Sequence, residues 1–408
     1  MGRRAALTGN QAVAEAVRLA RVGVISAYPI TPQTVIVERL AEMVERGVLD
    51  ARFIRVESEH SALAAAYGAA VAGVRAFTAT SSHGLLYMHE VVWWVAGSRV
   101  PLVMAVVTRA IGPPWNIHDD HCDILDQRDT GWLISMASSN QEALDLTLMA
   151  FRVSEDERVF LPVMVGLDGF ILSHTVEAVD IPGQDIVDEF LPERRQPYVI
   201  EPGSPVSMGN IAPDEYYEEL RIDMYKSMMG AVEAIRDAGR AYGRLTGRYY
   251  DSLIDCYKCC DADYVVVGMG AWMEDAKEAA DALREEGLRV GVARLRFLRP
   301  HPWRELAELV PSNAVLVFMD RGVSMGSAGQ LYLDASGWLE GFRGMVGVVA
   351  GVGGSWVTVE DFEEIVRRVA GMVEEVGGGL RIPLLWYHGG VFSVVERCGG
   401  GVGRGQAE

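Results

Sequence analysis

The alternation of short apolar runs with helical segments is the feature that most constrains the fold of this sequence. Runs such as RVGVISA (21–27), VRAFTATSS (74–82) and VPLVMAVVT (100–108) alternate with segments such as TVIVERLAEMVERG (34–47) and EHSALAAAYGAAVAG (59–73). Strands that are apolar along their whole length are buried on both faces. Strands that alternate with helices form a parallel sheet. The sequence therefore predicts an α/β protein with a doubly wound parallel sheet.

A change of composition after residue 172 and a second series of strands and helices predict two domains. The 408 residues are enough for two or three domains of about 150 residues each. Pro, Gly and charged residues dominate the stretch after 172, and ADYVVVGMG (262–270) begins the second α/β series. The predicted boundaries are a first domain at 1–245 with a surface excursion at 173–215 and a helical part at 216–245, a linker at 246–260, a smaller α/β domain at 261–375 and a C-terminal tail at 376–408.

Net charge and cysteine content restrict the class of protein. The formal charge of −19 repels nucleic acids and anionic membranes, which favours small molecules or other proteins as partners. The sequence has no uninterrupted apolar run of 18 residues, and MGRRAALTGNQ at its start lacks the apolar core of a signal peptide. Five cysteines are an odd number in a chain too large to need a disulfide framework. We therefore expect a cytoplasmic location.

Candidate functional residues follow three of the predicted strands. SAYPITPQT (26–34) holds two prolines between a strand and a helix, where a plain connector needs none. Glu57 and Glu59 precede a helix rich in Ala and Gly, and Arg109 follows the strand VPLVMAVVT. The carboxyl ends of parallel strands meet at one edge, where α/β proteins bind ligands. The two acids can serve a ligand or only the helix start, and the arginine can hold a carboxylate or only a neighbouring loop.

Three further motifs each have an ordinary structural explanation. GMGAWM (268–273) lacks the third small residue and the later acid of a dinucleotide fingerprint. CYKCC (256–260) has metal-like spacing but too few ligands for a complete site, which favours structural or incidental cysteines. In NIHDDHCD (116–123), His118 and His121 can share a metal if the segment is helical. Two prolines just before it favour an irregular polar loop instead. The histidines and cysteines leave open a metal-binding or scaffold protein without catalysis.

Taken together, several stretches resemble one family, the alpha subunits of 2-oxoacid:ferredoxin oxidoreductases, most closely the pyruvate type. The resemblance extends over nearly all of residues 5–370, and YPITP at the end of a strand is its most specific motif. The matching stretches are GNQAVAEAVRLARVGVISAYPITPQTVIVERLAE (9–42), ESEHSALAAAYGAAVAG (57–73), TSSHGLLYMHEVVWWVAG (80–97), TRAIGPPWNIHDDHCDILDQRDTGW (108–132), FLPERRQPYVIEP (190–202) and the run from VVVGMG to RPHP (265–302).

The resemblance implies a fold, an activity and a set of site residues. It implies a pyrimidine-type thiamine diphosphate domain and a transketolase C-terminal-like domain. The implied activity is reversible oxidative decarboxylation of pyruvate to acetyl-CoA and CO₂, with reduction of ferredoxin. Glu59 matches the acid that binds the aminopyrimidine ring, with Tyr28 and Pro29 beside the cofactor. Thr31 and Arg109 match residues that bind the substrate. The resemblance implies no metal ligand in this chain.

Missing motifs imply that the chain acts in a hetero-oligomer. It has no GDG…N segment for the diphosphate and its metal (GLDGF at 166–170 is nearest) and no ferredoxin-like cysteine run. The resemblance therefore implies a thiamine diphosphate-binding beta chain and ferredoxin-like gamma and delta chains that carry the iron–sulfur clusters. His83 and Thr108 stand where many relatives have Gln and Asn. Because both residues lie near the expected pocket, a branched 2-oxoacid such as 2-oxoisovalerate is the alternative substrate.

Overall fold

The computed structural model of the chain describes residues 2–203, 205–376 and 379–393. Its strands are β1 Arg3–Thr8, β2 Val24–Ala27, β3 Arg52–Arg55, β4 Ala76–Thr80, β5 Val103–Thr108, β6 Leu133–Met136, β7 Val163–Asp168, β8 Val176–Ile181, β9 Ile254–Tyr257, β10 Tyr264–Gly268, β11 Val290–Leu295, β12 Phe297–Arg299, β13 Val315–Asp320, β14 Gly344–Val349, β15 Leu380–His388 and β16 Val391–Ser393.

The helices connect these strands and cover the sheets that they form. They are α1 Gly9–Leu19, α2 Thr34–Glu45, α3 Glu59–Val71, α4 Ser82–Tyr87, α5 His89–Gly97, α6 Cys122–Leu125, α7 Asn140–Ser154, α8 Gln184–Phe190, α9 Asp214–Thr246, α10 Met273–Glu285, α11 Trp303–Leu309, α12 Gln330–Ser336 and α13 Val359–Val376. None of the helices in the described residues is long and apolar enough to cross a membrane.

The chain divides into two compact units. The first unit contains 1–255, 269–271 and 295–302, and the second contains 256–268, 272–294 and 303–408. This division lies close to the predicted linker at 246–260, although β9 within that linker pairs into the second sheet.

The first unit contains a seven-stranded sheet with the order β12-β6-β7-β5-β4-β2-β3. Strands β2 to β7 pair in parallel, and only β12 pairs antiparallel. Every residue of β4, β5, β6 and β7 is buried, as expected for strands covered on both faces. The doubly wound parallel sheet predicted from the alternation of strands and helices is confirmed.

The second unit contains another seven-stranded sheet, with the order β16-β15-β14-β13-β10-β11-β9. Its core contains buried residues from the strands β10, β11, β13, β14 and β15 and from the helices α10 and α13. Strands β15 and β16 belong to this sheet, so the sheet extends past residue 375, where the sequence analysis began a tail. Residues 394–408 of that tail, including Cys398, lie outside the described residues.

Several elements were not predicted from the sequence. Strand β1 pairs antiparallel with β8 to form a separate two-stranded sheet, and β8 and α8 lie within the predicted surface excursion. Strand β6 was missed. The segment that follows β4 forms two short helices, α4 and α5, which meet at Met88. A disulfide joins Cys256 to Cys259 in the CYKCC motif, a pairing that the sequence analysis did not predict.

A buried carboxylate fastens the long helix α9 to α7. Asp145 of α7 is fully buried and accepts hydrogen bonds from the hydroxyls of Tyr242 (2.5 Å) and Tyr250 (2.8 Å). The guanidinium of Arg248 donates two more, at 2.6 and 3.0 Å. One carboxylate thus joins α7, the end of α9 and the segment that follows.

We expect Asp145→Ala to lower the free energy of unfolding by about 3–5 kcal/mol, because it leaves a charge and two hydroxyls without their common acceptor. Urea denaturation of the purified protein measures this. The control is Asp188→Ala, which removes an exposed ion pair with Arg21 and should cost at most about 1 kcal/mol. Equal losses in the two variants would show that the buried network contributes no more than a surface pair.

Candidate active site

The predicted functional residues lie at the carboxyl edge of the first sheet. The YPITP segment follows β2, Glu59 begins α3 after β3, α4 follows β4, and Arg109 follows β5. Strands β3, β2, β4 and β5 are neighbours in the sheet. The edge therefore gathers residues that are up to about 80 positions apart in sequence.

The structure gives different surroundings to Glu57 and Glu59, of which the family resemblance selected Glu59. Ser58 caps α3, since its hydroxyl accepts from the backbone N–H of Ser61 at 3.2 Å. Glu57 is exposed and accepts from the hydroxyls of Ser58 and Ser61. Glu59 is only 9% exposed. Glu57 therefore serves the start of the helix, and Glu59 is the acid available for a ligand.

The Glu59 carboxylate lies against the turn that leads into α4. A Cβ atom added to Gly84 would come within 2.8 Å of Glu59 Oε1 and 2.5 Å of Thr80 Oγ1. Real Cβ contacts of this kind do not occur, so any other residue at 84 would displace the carboxylate. The sequence analysis did not single out Gly84, although a glycine one turn beyond a strand end was available as a signal.

Arg109 is 97% buried next to this carboxylate. Its Nη1 donates to the carbonyl of Thr31 at 2.8 Å, and its Nη2 lies 3.4 Å from His83 Nδ1. The guanidinium also stacks on the ring of Trp115 at 5.2 Å. Burial lowers the pKa of Arg109, and the charges of Asp123 and Glu59 oppose that shift. The arginine is thus a buried cation held by neutral groups.

The YPITP segment is fastened at several points. Gln33 Nε2 donates to the carbonyls of Tyr28 (2.8 Å) and Ala79 (3.1 Å), and Asn10 Nδ2 donates to the Pro32 carbonyl at 2.8 Å. The Thr31–Pro32 peptide bond is cis. Thr31 contacts Arg109 through its carbonyl oxygen while the residue itself is exposed. Tyr28 is half-buried and Pro29 exposed at the same edge.

Asp123, which the sequence analysis did not select, holds two of these loops together. It is fully buried, and its Oδ2 accepts from the backbone N–H of Ser82 (2.8 Å) and of Arg109 (3.1 Å). Its Oδ1 accepts from Ile124 N–H at 2.7 Å. Burial, and then the charge of Asp120, raise the pKa of Asp123 to about 8, although the three N–H donors oppose this.

The two histidines of NIHDDHCD do not converge on one point. His118 packs against the ring of Phe170, whereas His121 Nε2 lies 2.7 Å from Asp168 Oδ1. Asp119, His121 and Asp168 form a buried group with one ligand atom each within 4.8 Å of the others. Thr108 Oγ1 donates to Asp119 at 2.5 Å. The contacts agree with a polar loop whose histidines and aspartates bond to each other.

Six buried polar atoms without a hydrogen-bond partner in the described chain lie on β2, on β4 or in the loops that follow β2, β4 and β5. Native proteins rarely leave such atoms unsatisfied, so their concentration indicates a place for a polar ligand or for water. The atoms at this edge are Ser26 Oγ, Gln33 Oε1, Thr78 Oγ1, Thr80 Oγ1, Ser81 Oγ and Arg109 Nε. Together with the Glu59 carboxylate, these atoms fit a ligand that is polar and carries a partial positive charge.

Gly84→Ala should reduce the free energy of unfolding by about 1–3 kcal/mol, because the new methyl group overlaps the Glu59 carboxylate. Thermal and urea denaturation of the purified variant measure the loss. The matched control is Gly68→Ala in α3, where an added Cβ meets nothing within 4 Å and should raise stability by about 0.5–1 kcal/mol. A neutral or stabilising Gly84→Ala would contradict the close approach of Gly84 to Glu59.

Asp123 should make the protein less stable as the pH rises from about 4 to about 8. The ordinary pKa of 3.8 is raised to about 8, so in this range the folded state holds a proton that the unfolded state has released. The contribution of Asp123 to the free energy of unfolding is complete below pH 4. It falls by at most about 1.4 kcal/mol per pH unit as the pH rises, and it stops changing above about pH 8.

Urea denaturation between pH 5 and pH 9 tests this expectation, and Asp123→Asn should flatten the slope. The control is Glu57→Gln, because the Ser61 hydroxyl lowers the pKa of Glu57, which confines its effect to lower pH. Parallel stability curves for Asp123→Asn and the wild type would rule out a raised pKa.

Family models match both units of the chain. Residues 15–240 match the model described as pyruvate flavodoxin/ferredoxin oxidoreductase, thiamine diP-binding. Residues 262–362 match pyruvate:ferredoxin oxidoreductase core domain II. The first match covers more than half of the chain and includes the whole edge that carries Glu59 and Arg109.

Curated relatives align over most of the chain. Pyruvate synthase subunit PorA of Pyrococcus furiosus is 44% identical, with 94% of this chain and 97% of that protein covered. The PorA subunit of Methanothermobacter thermautotrophicus is 45% identical over 89% of this chain and 94% of its own. Ketoisovalerate oxidoreductase subunit VorA of Pyrococcus abyssi is 44% identical, with 94% and 97% covered.

Solved structures agree on the fold. A 2-oxoglutarate:ferredoxin oxidoreductase from Magnetococcus marinus superposes with a TM-score of 0.69 at 17% identity, and covers 90% of this chain and 65% of that chain. Transketolase from Leishmania mexicana gives 0.52 at 16% identity, with 90% and 46% covered. The family models and the extent of the matches to curated relatives show that the chain belongs to the pyruvate flavodoxin/ferredoxin oxidoreductase family, with a thiamine diphosphate-binding domain at residues 15–240.

Proposed function

We propose that this chain is the alpha subunit of a hetero-oligomeric pyruvate:ferredoxin oxidoreductase. The complex would convert pyruvate and coenzyme A to acetyl-CoA and CO₂ with reduction of ferredoxin. The observation that carries the proposal is the pairing of a buried acid, Glu59, with a buried arginine, Arg109, at one edge of the sheet. Identity of 44–45% to two PorA subunits supports pyruvate as the substrate.

Glu59 is the residue we assign to the aminopyrimidine ring of thiamine diphosphate. The cofactor supplies a nucleophilic carbon and an electron sink for decarboxylation. The Glu59 carboxylate accepts no hydrogen bond from the described residues, and Gly84 leaves it room. It can therefore hold a proton against a ring nitrogen in a site largely closed to water. A hydrogen bond of this kind is worth about 3 kcal/mol of barrier.

Arg109 is the residue we assign to the substrate carboxylate. Its Nη1 and Nη2 each have one contact within the chain, and its buried Nε has none among the described residues. A guanidinium has five N–H donors, so enough remain for two parallel bonds to a carboxylate. The Thr31 carbonyl holds one side of the guanidinium and thereby directs the remaining donors. Thr31 also offers its exposed hydroxyl at the same edge.

The second half of the cofactor site belongs, in our proposal, to a beta chain. Residues that bind the diphosphate and its metal would lie there, since this sequence has no GDG…N segment. The iron–sulfur clusters would lie in ferredoxin-like gamma and delta chains, since the present sequence lacks a cysteine run for them. The names of the curated relatives, each a subunit, support an assembly of several chains.

A second substrate is favoured by the same comparisons. The VorA subunits, named for ketoisovalerate, are as similar to this chain as the PorA subunits are. The chemistry at Glu59 and Arg109 is the same for both 2-oxoacids, since each has a carboxylate next to a carbonyl. The ratio of kcat/KM for pyruvate and 2-oxoisovalerate decides between the two substrates.

Reconstitution with the partner chains tests the proposal. The complete complex should reduce a viologen dye when both a 2-oxoacid and coenzyme A are supplied, and this chain alone should not. Glu59→Gln should lower kcat by about 10²–10³-fold, because the amide cannot hold the required proton. Glu57→Gln, on an exposed acid two residues away, should stay within about threefold of the wild type.

Three results would overturn the proposal. Dye reduction by the isolated chain would contradict the shared cofactor site. Wild-type activity in the Glu59→Gln complex would remove Glu59 from the catalytic role. A complex that binds thiamine diphosphate but converts no 2-oxoacid would contradict the substrate class.

A further inference from the structure

His83 lies between Arg109 and the loop that follows β5. It is the second residue of α4 and is half-buried. Its Nε2 lies 3.0 Å from the carbonyl oxygen of Gly112, and its Nδ1 lies 3.4 Å from Arg109 Nη2. The imidazole thus bridges the backbone of one loop and the guanidinium assigned to the substrate carboxylate.

The contacts with Gly112 and Arg109 indicate which ring nitrogen of His83 carries a proton. The Ser82 hydroxyl also lies 3.4 Å from Nδ1, but its proton is donated to the Ala110 carbonyl at 2.7 Å. A carbonyl oxygen only accepts, so the contact with Gly112 requires a proton on Nε2. A guanidinium only donates, so the contact with Arg109 requires a lone pair on Nδ1. Both conditions are met by one neutral tautomer. In that tautomer, the hydrogen bond to the Gly112 carbonyl fixes the orientation of the His83 ring. The ring in turn fixes the orientation of the Arg109 side chain.

Trp115 restricts the same two side chains from another direction. Its ring is parallel to that of His83 within 5°, with centroids 6.3 Å apart, and the Arg109 guanidinium lies 5.2 Å from it. Stacking limits the tilt of the guanidinium, but a flat ring does not fix its rotation within the plane. The directional contacts of Arg109 with side chains and backbone are those with Thr31 and His83.

We propose that His83 is a positioning residue that fixes the rotation of Arg109 and so sets the affinity of the site for the carboxylate of a 2-oxoacid. The proposal rests on the function proposed above. The bound 2-oxoacid carries this carboxylate in the ground state and still carries it when the bond to the departing CO₂ begins to break. A more mobile Arg109 side chain therefore weakens binding of the substrate at both stages. The effect therefore falls mainly on KM and much less on kcat.

Two variants of His83 in the reconstituted complex separate hydrogen bonding from packing. His83→Phe keeps a flat ring beside Trp115 but has no hydrogen-bonding atoms, and it should raise KM for the 2-oxoacid about tenfold, or ~1.4 kcal/mol. His83→Gln loses the ring but keeps one donor and one acceptor, and should stay within about threefold of the wild type. Values of kcat should change by less than about threefold in both variants.

Binding provides a readout that does not depend on turnover. Calorimetry with oxamate, an unreactive isostere of pyruvate, should give the same tenfold rise in Kd for His83→Phe, while KM for coenzyme A stays unchanged. In an Arg109→Lys background, His83→Phe should add no further loss, because the pair acts as one unit. His89→Phe, which replaces a half-buried histidine of α5 that contacts Gln127 instead, is the matched control and should behave as the wild type.

Each outcome supports or overturns the proposal. An unchanged KM in a folded His83→Phe complex would overturn it. An equal rise in KM in the His83→Phe and His83→Gln variants would also overturn it, because it would show that the hydrogen bonds of residue 83 do not set the affinity. Additive losses in the double variant would also overturn it. If His83→Phe does not assemble, His83→Leu takes its place with the same expectation. A wild-type complex without 2-oxoacid turnover would instead refute the proposed function, which separates the two failures.

Discussion

The geometry of the site depends on the hydrogen bonds that the buried carboxyl group of Asp123 accepts. This carboxyl group accepts the backbone N–H groups of Ser82 and Arg109, which begin the connections after β4 and β5. Ser82 has a φ of +47°, an unusual value for a residue with a side chain. Its hydroxyl bonds the Ala110 carbonyl at 2.7 Å. Both loops hydrogen-bond to the same buried acceptor. The backbones of Gly84, which lies beside Glu59, and of Arg109 are therefore held in a fixed position relative to each other.

The sequence predicts which residues lie at the carboxyl edge of the sheet, but not which of them contact each other there. Glu59 and Arg109 follow apolar strands, and the carboxyl ends of parallel strands share an edge, so sequence position alone places both residues there. The choice between Glu57 and Glu59 depends on which carboxylate takes the Ser58 and Ser61 hydroxyls. Asp123 is one of several aspartates in a polar loop, and only the folded path of that loop brings it behind Arg109.

The parts of the fold that escaped prediction depend on distant partners or on weak local patterns. RRAALT has the composition of an exposed terminus, and it becomes β1 only by pairing with β8, about 170 residues later. LISM is too short to show a period, and it becomes β6 because β7 and β12 lie on either side. Strands β15 and β16 follow a long helix and a glycine run, which reads as a chain end. In each case, pairing with a distant strand outweighs local propensity.

Neither of the two buried charged residues of the site accounts for substrate specificity under the proposed function. Every 2-oxoacid presents the same carboxylate and carbonyl, so neither Arg109 nor Glu59 can distinguish pyruvate from 2-oxoisovalerate. Discrimination has to come from residues that contact the substrate side chain, where the two extra methyl groups of 2-oxoisovalerate are worth about 1–3 kcal/mol each at most. Substitution of a few residues that line the pocket around the substrate side chain can supply such a difference, while the rest of the sequence stays the same. The equal identity to PorA and VorA subunits agrees with the proposed function, in which both substrates would share the carboxylate contact and differ only in the residues around the substrate side chain.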